Sequence, residues 1–150
     1  AKGPVCDQHY ETLCDGIFAC GNALHVNDLV DYVSESGEGA GRAAAEYVPR
    51  ARQLVPIIAD DEFLYAVPER LSLVKTPEKT VLFFRAKRAM GRSVVTVRAD
   101  GKLIFSKTYH HLRPPEMERI TVDFAAADIT QKTELRLSLC EVQAPQSRAE

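Results

Sequence analysis

From about residue 53 onward, apolar residues recur at every second position in short runs, and this period of two most restricts the fold. A strand turns successive side chains to opposite faces, so alternation marks a sheet with one buried side. Leu54 to Ala59 and Phe63 to Val67 read as strands, and Leu71-Ser72-Leu73-Val74 alternates behind them. Thr80 to Ala86 is strongly apolar. Val95 and Val97 face one way, with Val94, Thr96 and Arg98 opposite. Asp100-Gly101 is a two-residue hairpin turn, whose central residues tolerate positive φ, and Lys102 to Tyr109 returns from it. Arg119 to Phe124 is another strand, and Leu135, Leu137 and Leu139 alternate with Arg136, Ser138 and Cys140. Seven or eight short strands separated by turn residues predict a mainly β fold: an antiparallel β-sandwich, immunoglobulin-like, over residues 51–143. The polar stretch 144–150 is expected to be a flexible tail.

The first fifty residues are different. They hold three Lys/Arg against eight Asp/Glu, whereas residues 51–150 hold sixteen against thirteen, which places a boundary near residue 50. Residues 1–25 read as short extended pieces with a turn at Asp15-Gly16. Ile17-Phe18-Ala19-Cys20 is a continuous apolar run closed by Gly21-Asn22, the pattern of a fully buried strand ending in a tight turn. A helix should follow, capped by Asn27 or Asp28 and ended by Pro49. Its stripe of Leu29, Val33, Ser36/Gly37, Ala40, Ala44 and Tyr47 is small in the middle. Gly37, Gly39 and Gly41 each cost about 1 kcal/mol of helix propensity relative to Ala, a cost accepted where another backbone must come close.

The stretch Thr12-Leu13-Cys14-Asp15-Gly16-Ile17-Phe18-Ala19-Cys20-Gly21-Asn22, with the small-residue helix after it, resembles the closing motif of flavoproteins with two dinucleotide-binding domains. These are the FAD-dependent pyridine-nucleotide-disulfide oxidoreductases of the thioredoxin-reductase-like family. The resemblance covers roughly residues 3–48, and the remainder is similar to a β-rich C-terminal extension found on some members. It implies that residues 1–50 are the C-terminal, strand-turn-helix segment of an FAD-binding domain. It further implies that Gly21 makes the turn beside the flavin and that Asn22 accepts a hydrogen bond from a ribityl hydroxyl. The backbone around Asp31 and Tyr32 would then lie at the pyrimidine edge, where a helix N-terminus favours negative charge. Three departures stand out: Asn22 replaces the usual Asp, the loop to the helix is about one residue longer, and Cys14-Asp15 stands where Pro often precedes the Gly. The strand, glycine loop and acidic residue that hold the ADP half of FAD are missing from these 150 residues, as is an NAD(P) domain. Gly37-Glu38-Gly39-Ala40-Gly41 is no substitute, since it follows helical sequence and its spacing is not GxGxxG.

Other groupings favour ordinary roles. Cys6, His9 and Cys14 match no common zinc spacing, and Asp60-Asp61-Glu62 lacks the calcium-loop pattern. His110 and His111 are adjacent on a strand end and point apart, so they read as solvated. His25, just after the Gly-Asn turn, is a candidate base beside the flavin, against the plainer reading of a locally bonded loop residue. Arg85, Lys87, Arg88, Arg92 and Arg98 read as a solvated basic face on one hairpin. Four cysteines with no CxxC pair are not a disulfide framework and suit a reducing cytoplasm. A net charge of −2 argues against nucleic acid, and no apolar run reaches membrane-spanning length. The opening Ala1-Lys2-Gly3-Pro4, without Met or a signal-peptide core, suggests a fragment or processed chain.

The expectation is therefore the C-terminal portion of an FAD-dependent NAD(P)H oxidoreductase, inactive alone and without bound FAD. Its partners would be the missing N-terminal flavoprotein segment, a partner subunit, or a second copy in a homo-oligomer. The alternative is a non-enzymatic β-sandwich module for interaction or oligomerisation.

Overall fold

The computed structural model describes residues 3–75 and 79–142. The tail expected over 144–150 lies outside the described residues. A short 3-10 turn, Gly21–Ala23, precedes one helix, α1 (Val30–Ala45). Eight strands follow: β1 (Leu54–Ala59), β2 (Phe63–Val67), β3 (Arg70–Ser72), β4 (Lys79–Ala86), β5 (Ser93–Ala99), β6 (Lys102–Tyr109), β7 (Glu118–Asp123) and β8 (Leu135–Glu141). They form a five-stranded sheet in the order β3-β1-β8-β5-β6 and a three-stranded sheet in the order β2-β4-β7. No helix among the described residues is long and apolar enough to cross a membrane.

Alternation sets the core. Val95 and Val97 on β5 and Leu135, Leu137 and Leu139 on β8 are buried, while Arg98, Arg136 and Cys140 face water. Leu82 and Phe84 on β4, with Ile120 and Val122 on β7, join the same cluster from the other sheet. Phe84 is fully buried and meets Phe63 edge-on at 5.3 Å and Tyr109, from the five-stranded sheet, at 6.0 Å. The β5–β6 hairpin turns at Asp100 and Gly101, both left-handed with φ of 48° and 81°, as a tight two-residue turn demands.

The sheets are not purely antiparallel, which corrects the sequence expectation. β1 runs antiparallel to β3 through Leu54, Val55 and Pro56, then parallel to β8 through Ile57, Ile58 and Ala59. Pro56 stands where the partner changes, and a residue without an N–H is tolerated where ladder pairing is interrupted. β1 and β8 are far apart in sequence, so no hairpin turn dictates their relative direction.

The expected strand over Ile17 to Cys20 is also corrected. Ile17 is exposed, and the segment makes only a single bridge, between Phe18 and Glu11. A continuous apolar run forms a buried strand only with neighbours on both faces, and no described strand flanks this one.

The first fifty residues dock on the sheets through a small apolar cluster of Cys6, Leu24 and Val67 and through polar contacts. The Gln8 side chain donates to the Ser72 carbonyl at 2.8 Å and accepts from the Ser72 N–H at 2.7 Å, so one amide continues the ladder at the β3 edge. Cys6 N–H donates to the Glu69 carboxylate, and the Cys6 carbonyl accepts from Arg70 N–H. Asp60 is a turn former: its carboxylate accepts from the backbone of Glu62 and of Leu139.

Phe84→Ala should cost about 3–5 kcal/mol, because a large ring is removed from a well-packed interior. Leu103→Ala on the exposed face of β6 should cost under about 1 kcal/mol. Urea unfolding of both variants checks the contrast.

Candidate functional site

The turn the resemblance singles out begins at Gly21, which is left-handed with φ 57° and buried. A Cβ there would come within 3.1 Å of the Val33 side chain, so glycine suits both the φ and the close approach of α1. Gly21 N–H donates to Ser36 Oγ at 2.8 Å, and that hydroxyl donates onward to the Val33 carbonyl. This ties the turn to the helix and leaves the Gly21 N–H occupied. Asn22 is exposed, and its Oδ1 accepts from the Asn27 backbone at 3.1 Å and the Asn27 side chain at 3.3 Å. Asp31 is exposed in the first turn of α1. Tyr32 is half-buried, its ring 5.4 Å from Phe83, and its N–H donates to the Leu29 carbonyl. Gly21, Asn22, Asp31 and Tyr32 thus lie along one short path, but Asn22 alone of the four lines a cleft.

Neither expected residue caps α1. Leu29 holds the capping position in extended backbone with no side-chain hydrogen bond. Asn27 is engaged with Asn22 and the His25 carbonyl. Asp28 is held by Arg85 and by Met117 N–H at 2.7 Å. The first turn of α1 therefore lacks a side-chain acceptor for its free donors.

Arg85 corrects the reading of a solvated basic face. It sits on β4 at 8% exposure, with Nη2 2.5 Å from Asp28 Oδ1. Its Nε donates to the Tyr65 hydroxyl at 2.9 Å, Nη2 also donates to the Val26 carbonyl at 3.2 Å, and Nη1 donates to the Pro115 carbonyl. One side chain thus joins the 26–28 loop, β2, β4 and the loop before β7. The sequence signal was a cation interrupting the apolar run Thr80 to Ala86. Arg88 instead bridges Glu62 and Glu141 at the surface. Burial works against the charged form of Asp28, but the Met117 N–H and Arg85 outweigh it and hold the carboxyl below its usual range.

His25 is 6% exposed, its ring tilted against Tyr65 at 5.8 Å and Phe83 at 5.3 Å. Burial lowers its pKa against a smaller opposing pull from the Val26 backbone, so the ring is neutral at pH 7. Its Nδ1 has no hydrogen-bond partner. His25 lines two clefts. One, of about 470 Å³, lies toward Cys6, Asp7, Ser36 and Thr80. The other, of about 620 Å³, is walled by Asn22, Val26, Leu64, Tyr65, Arg85 and Pro114-Pro115.

A second charged cluster steadies the start of the motif. Arg52 lies 3.6 Å from Asp7, 3.5 Å from Glu11 and 2.9 Å from Asp15, and it donates to the Thr12 carbonyl. Asp7 and Glu11 are buried. Burial pushes the Asp7 carboxyl up, against the N–H groups of His9 and Glu11 and the charges of His9 and Arg52. Among the described residues, no three His, Cys, Asp or Glu side chains gather as a metal site. Cys6 is buried, which raises its thiol pKa, with Glu69 and Asp7 adding to the rise. His110 and His111 are exposed.

Of the helix glycines, Gly39 alone is packed, since a Cβ there would lie 2.5 Å from the Tyr10 ring. Cβ atoms at Gly37 and Gly41 would meet nothing. A side chain, not a backbone, makes the close approach at Gly39.

The two carboxyl groups give opposite pH slopes. Asp28, with its folded pKa depressed, contributes stability above about pH 4 that is lost as pH falls through the folded value. Asp7, with its folded pKa raised, binds its proton more readily when folded, so stability rises as pH falls through that folded value. Asp28→Asn should therefore flatten the acid-side loss, and Asp7→Asn should flatten the opposing gain above about pH 4. Urea unfolding of each variant across acid and neutral pH measures both slopes.

No protein-family model, curated protein or solved structure matches the chain.

Proposed function

We propose that the chain is the C-terminal portion of an FAD-dependent NAD(P)H oxidoreductase, with residues 3–48 forming one wall of the flavin site. The observation that carries this reading is where apolar side chains stand in water. Leu13, Ile17, Val26, Leu29, Val30 and Val48 are all exposed, and they flank the Gly21 turn and the ends of α1. Ile58, Leu64, Leu103 and Val142 complete the exposed large hydrophobics among the described residues. Uncovered apolar side chains around one turn and one helix suit a contact face, and further polypeptide of a dinucleotide-binding domain would cover them.

Bound FAD would accept hydride from NAD(P)H and pass the electrons on. The chain's own part is positioning. Asn22 Oδ1, once released by Asn27, would accept a hydrogen bond from the ribityl chain. The first turn of α1, which has no side-chain cap, would turn the positive end of the helix dipole toward the ring edge near Asp31 and Tyr32. The eight strands fit an immunoglobulin-like sandwich whose role is structural or docking. The free cysteines Cys6, Cys14, Cys20 and Cys140 suit a reducing cytoplasm.

The same uncovered surface favours the alternative, a β-sandwich module that associates with itself through residues 3–48. Natural-length protein purified from its source decides between them. It should be yellow and release FAD on denaturation, while the 150-residue chain alone should show no saturable flavin binding at micromolar concentration. A colourless natural-length oligomer, or tight FAD binding by the isolated chain, would contradict the flavin-wall reading.

A further inference from the structure

We propose that β6 is a docking edge for an extended acidic segment of a partner protein, which adds a strand to the five-stranded sheet. The segment would carry acidic side chains four positions apart with an apolar one midway between them. β6 ends its sheet: it pairs with β5 along its whole length and has no strand on its outer side among the described residues. An edge strand presents a row of free N–H and C=O groups, and an extended chain laid beside it supplies their partners. Of the eight residues of β6, Tyr109 alone is buried. Leu103 is 47% exposed, and Ile104 and Phe105 are half-buried.

Charge selects the partner. From Arg92 to Arg113 the chain holds five Lys or Arg and a single acid, Asp100, whose carboxylate is taken by Glu134 N–H. Arg88, Arg113 and Arg136 are each paired with a glutamate. Arg92, Arg98, Lys102 and Lys107 have no ion pair among the described residues. Glu118 acts on Lys107 through space without pairing with it. Register places the two lysines together. Lys102 stands across from Ala99, Phe105 from Val97 and Lys107 from Val95, so all three project on one face of the sheet. The irregularity between Val97 and Arg98 brings this about, because five residues of regular strand would put Lys102 and Lys107 on opposite faces. An incoming strand that keeps the β5 register meets Lys, Phe and Lys at alternate positions, spread over about 13 Å. Opposite charges across a strand pair favour it and like charges oppose it. A second copy of β6 would bring its own lysines to this edge, so the same residues that discourage self-pairing favour an acidic partner.

The edge involves no flavin, so its failure leaves the flavin-wall reading untouched. The probe is a blocked eight-residue peptide with glutamate at its second and sixth positions, valine at the fourth and threonine elsewhere. The 150-residue chain is titrated with it at low salt, up to millimolar peptide, and followed by ¹H–¹⁵N correlation spectra. Saturable shifts and slowed amide exchange are expected along β6. Lys102→Glu combined with Lys107→Glu, both at exposed positions, should weaken binding by about tenfold, since two favourable cross-strand pairs become repulsive. A peptide with lysine in place of both glutamates should bind that double variant and not the parent chain. This swap separates recognition at the edge from damage to the fold. Absence of saturable shifts, shifts centred away from β6, or no recovery with the lysine peptide overturns the proposal. Equal competition by an oligothymidylate of eight nucleotides also overturns it, because the edge would then be reading negative charge rather than an extended chain.

Discussion

Arg85 carries a positive charge into the apolar run Val81 to Ala86 of β4, and the placement of the 26–28 loop depends on how that charge is met. A buried guanidinium with donors unanswered would cost several kcal/mol. Here Asp28, Tyr65, Val26 and Pro115 answer it. Two of those partners lie in the loop between the Gly21 turn and α1. The interaction that answers the charge on β4 therefore also holds the loop that follows the turn. It also explains why α1 starts without a side-chain cap, since the carboxylate that sequence assigns to the cap is held by Arg85 and Met117. The Arg52 cluster does comparable work at the other end of the motif, joining Asp7, Glu11 and Asp15 to the chain entering β1.

Against this anchoring, the outward side of residues 3–48 is left open. A Cβ added at Gly37 or Gly41 would meet nothing within 4 Å among the described residues, and Val30 and Val26 stand largely in water. The inward side is tied down by Gln8 on the β3 edge, Ser36 on Gly21 and Tyr10 on Gly39. A segment fixed on one side, with Val26, Leu29 and Val30 uncovered beside the charged residues Asp31, Glu35, Glu38 and Arg42, can carry a second surface against it. That asymmetry supports both proposals for this region, because a flavin wall and an association face each require it.

The strands were legible because their signal is local. Alternation in Val95 to Val97 and Leu135 to Leu139, and the Asp100-Gly101 turn, involve neighbours in sequence and needed no knowledge of partners. The parallel pairing of β1 with β8 was not legible, since direction between distant strands leaves no mark in either one. The Ile17 to Cys20 run misled because hydrophobicity reports a wish for burial, not the presence of a neighbour. At the candidate site, the Gly21 turn and the helix behind it could be read from residue types. The occupation of Gly21 N–H by Ser36 and of Asn22 by Asn27 could not, because both are matters of side-chain reach. Arg85 was visible as an oddity in an apolar run, yet its partners lie 57 and 30 residues away in sequence.

The most direct test of the Arg85 anchor is a double-mutant cycle of Asp28→Ala and Arg85→Ala, read by equilibrium unfolding. The anchor predicts a coupling of at least about 1 kcal/mol, with the double variant losing less than the sum of the single losses. Additive losses would mean that Arg85 and Asp28 do not hold each other, and that the turn is placed by something else.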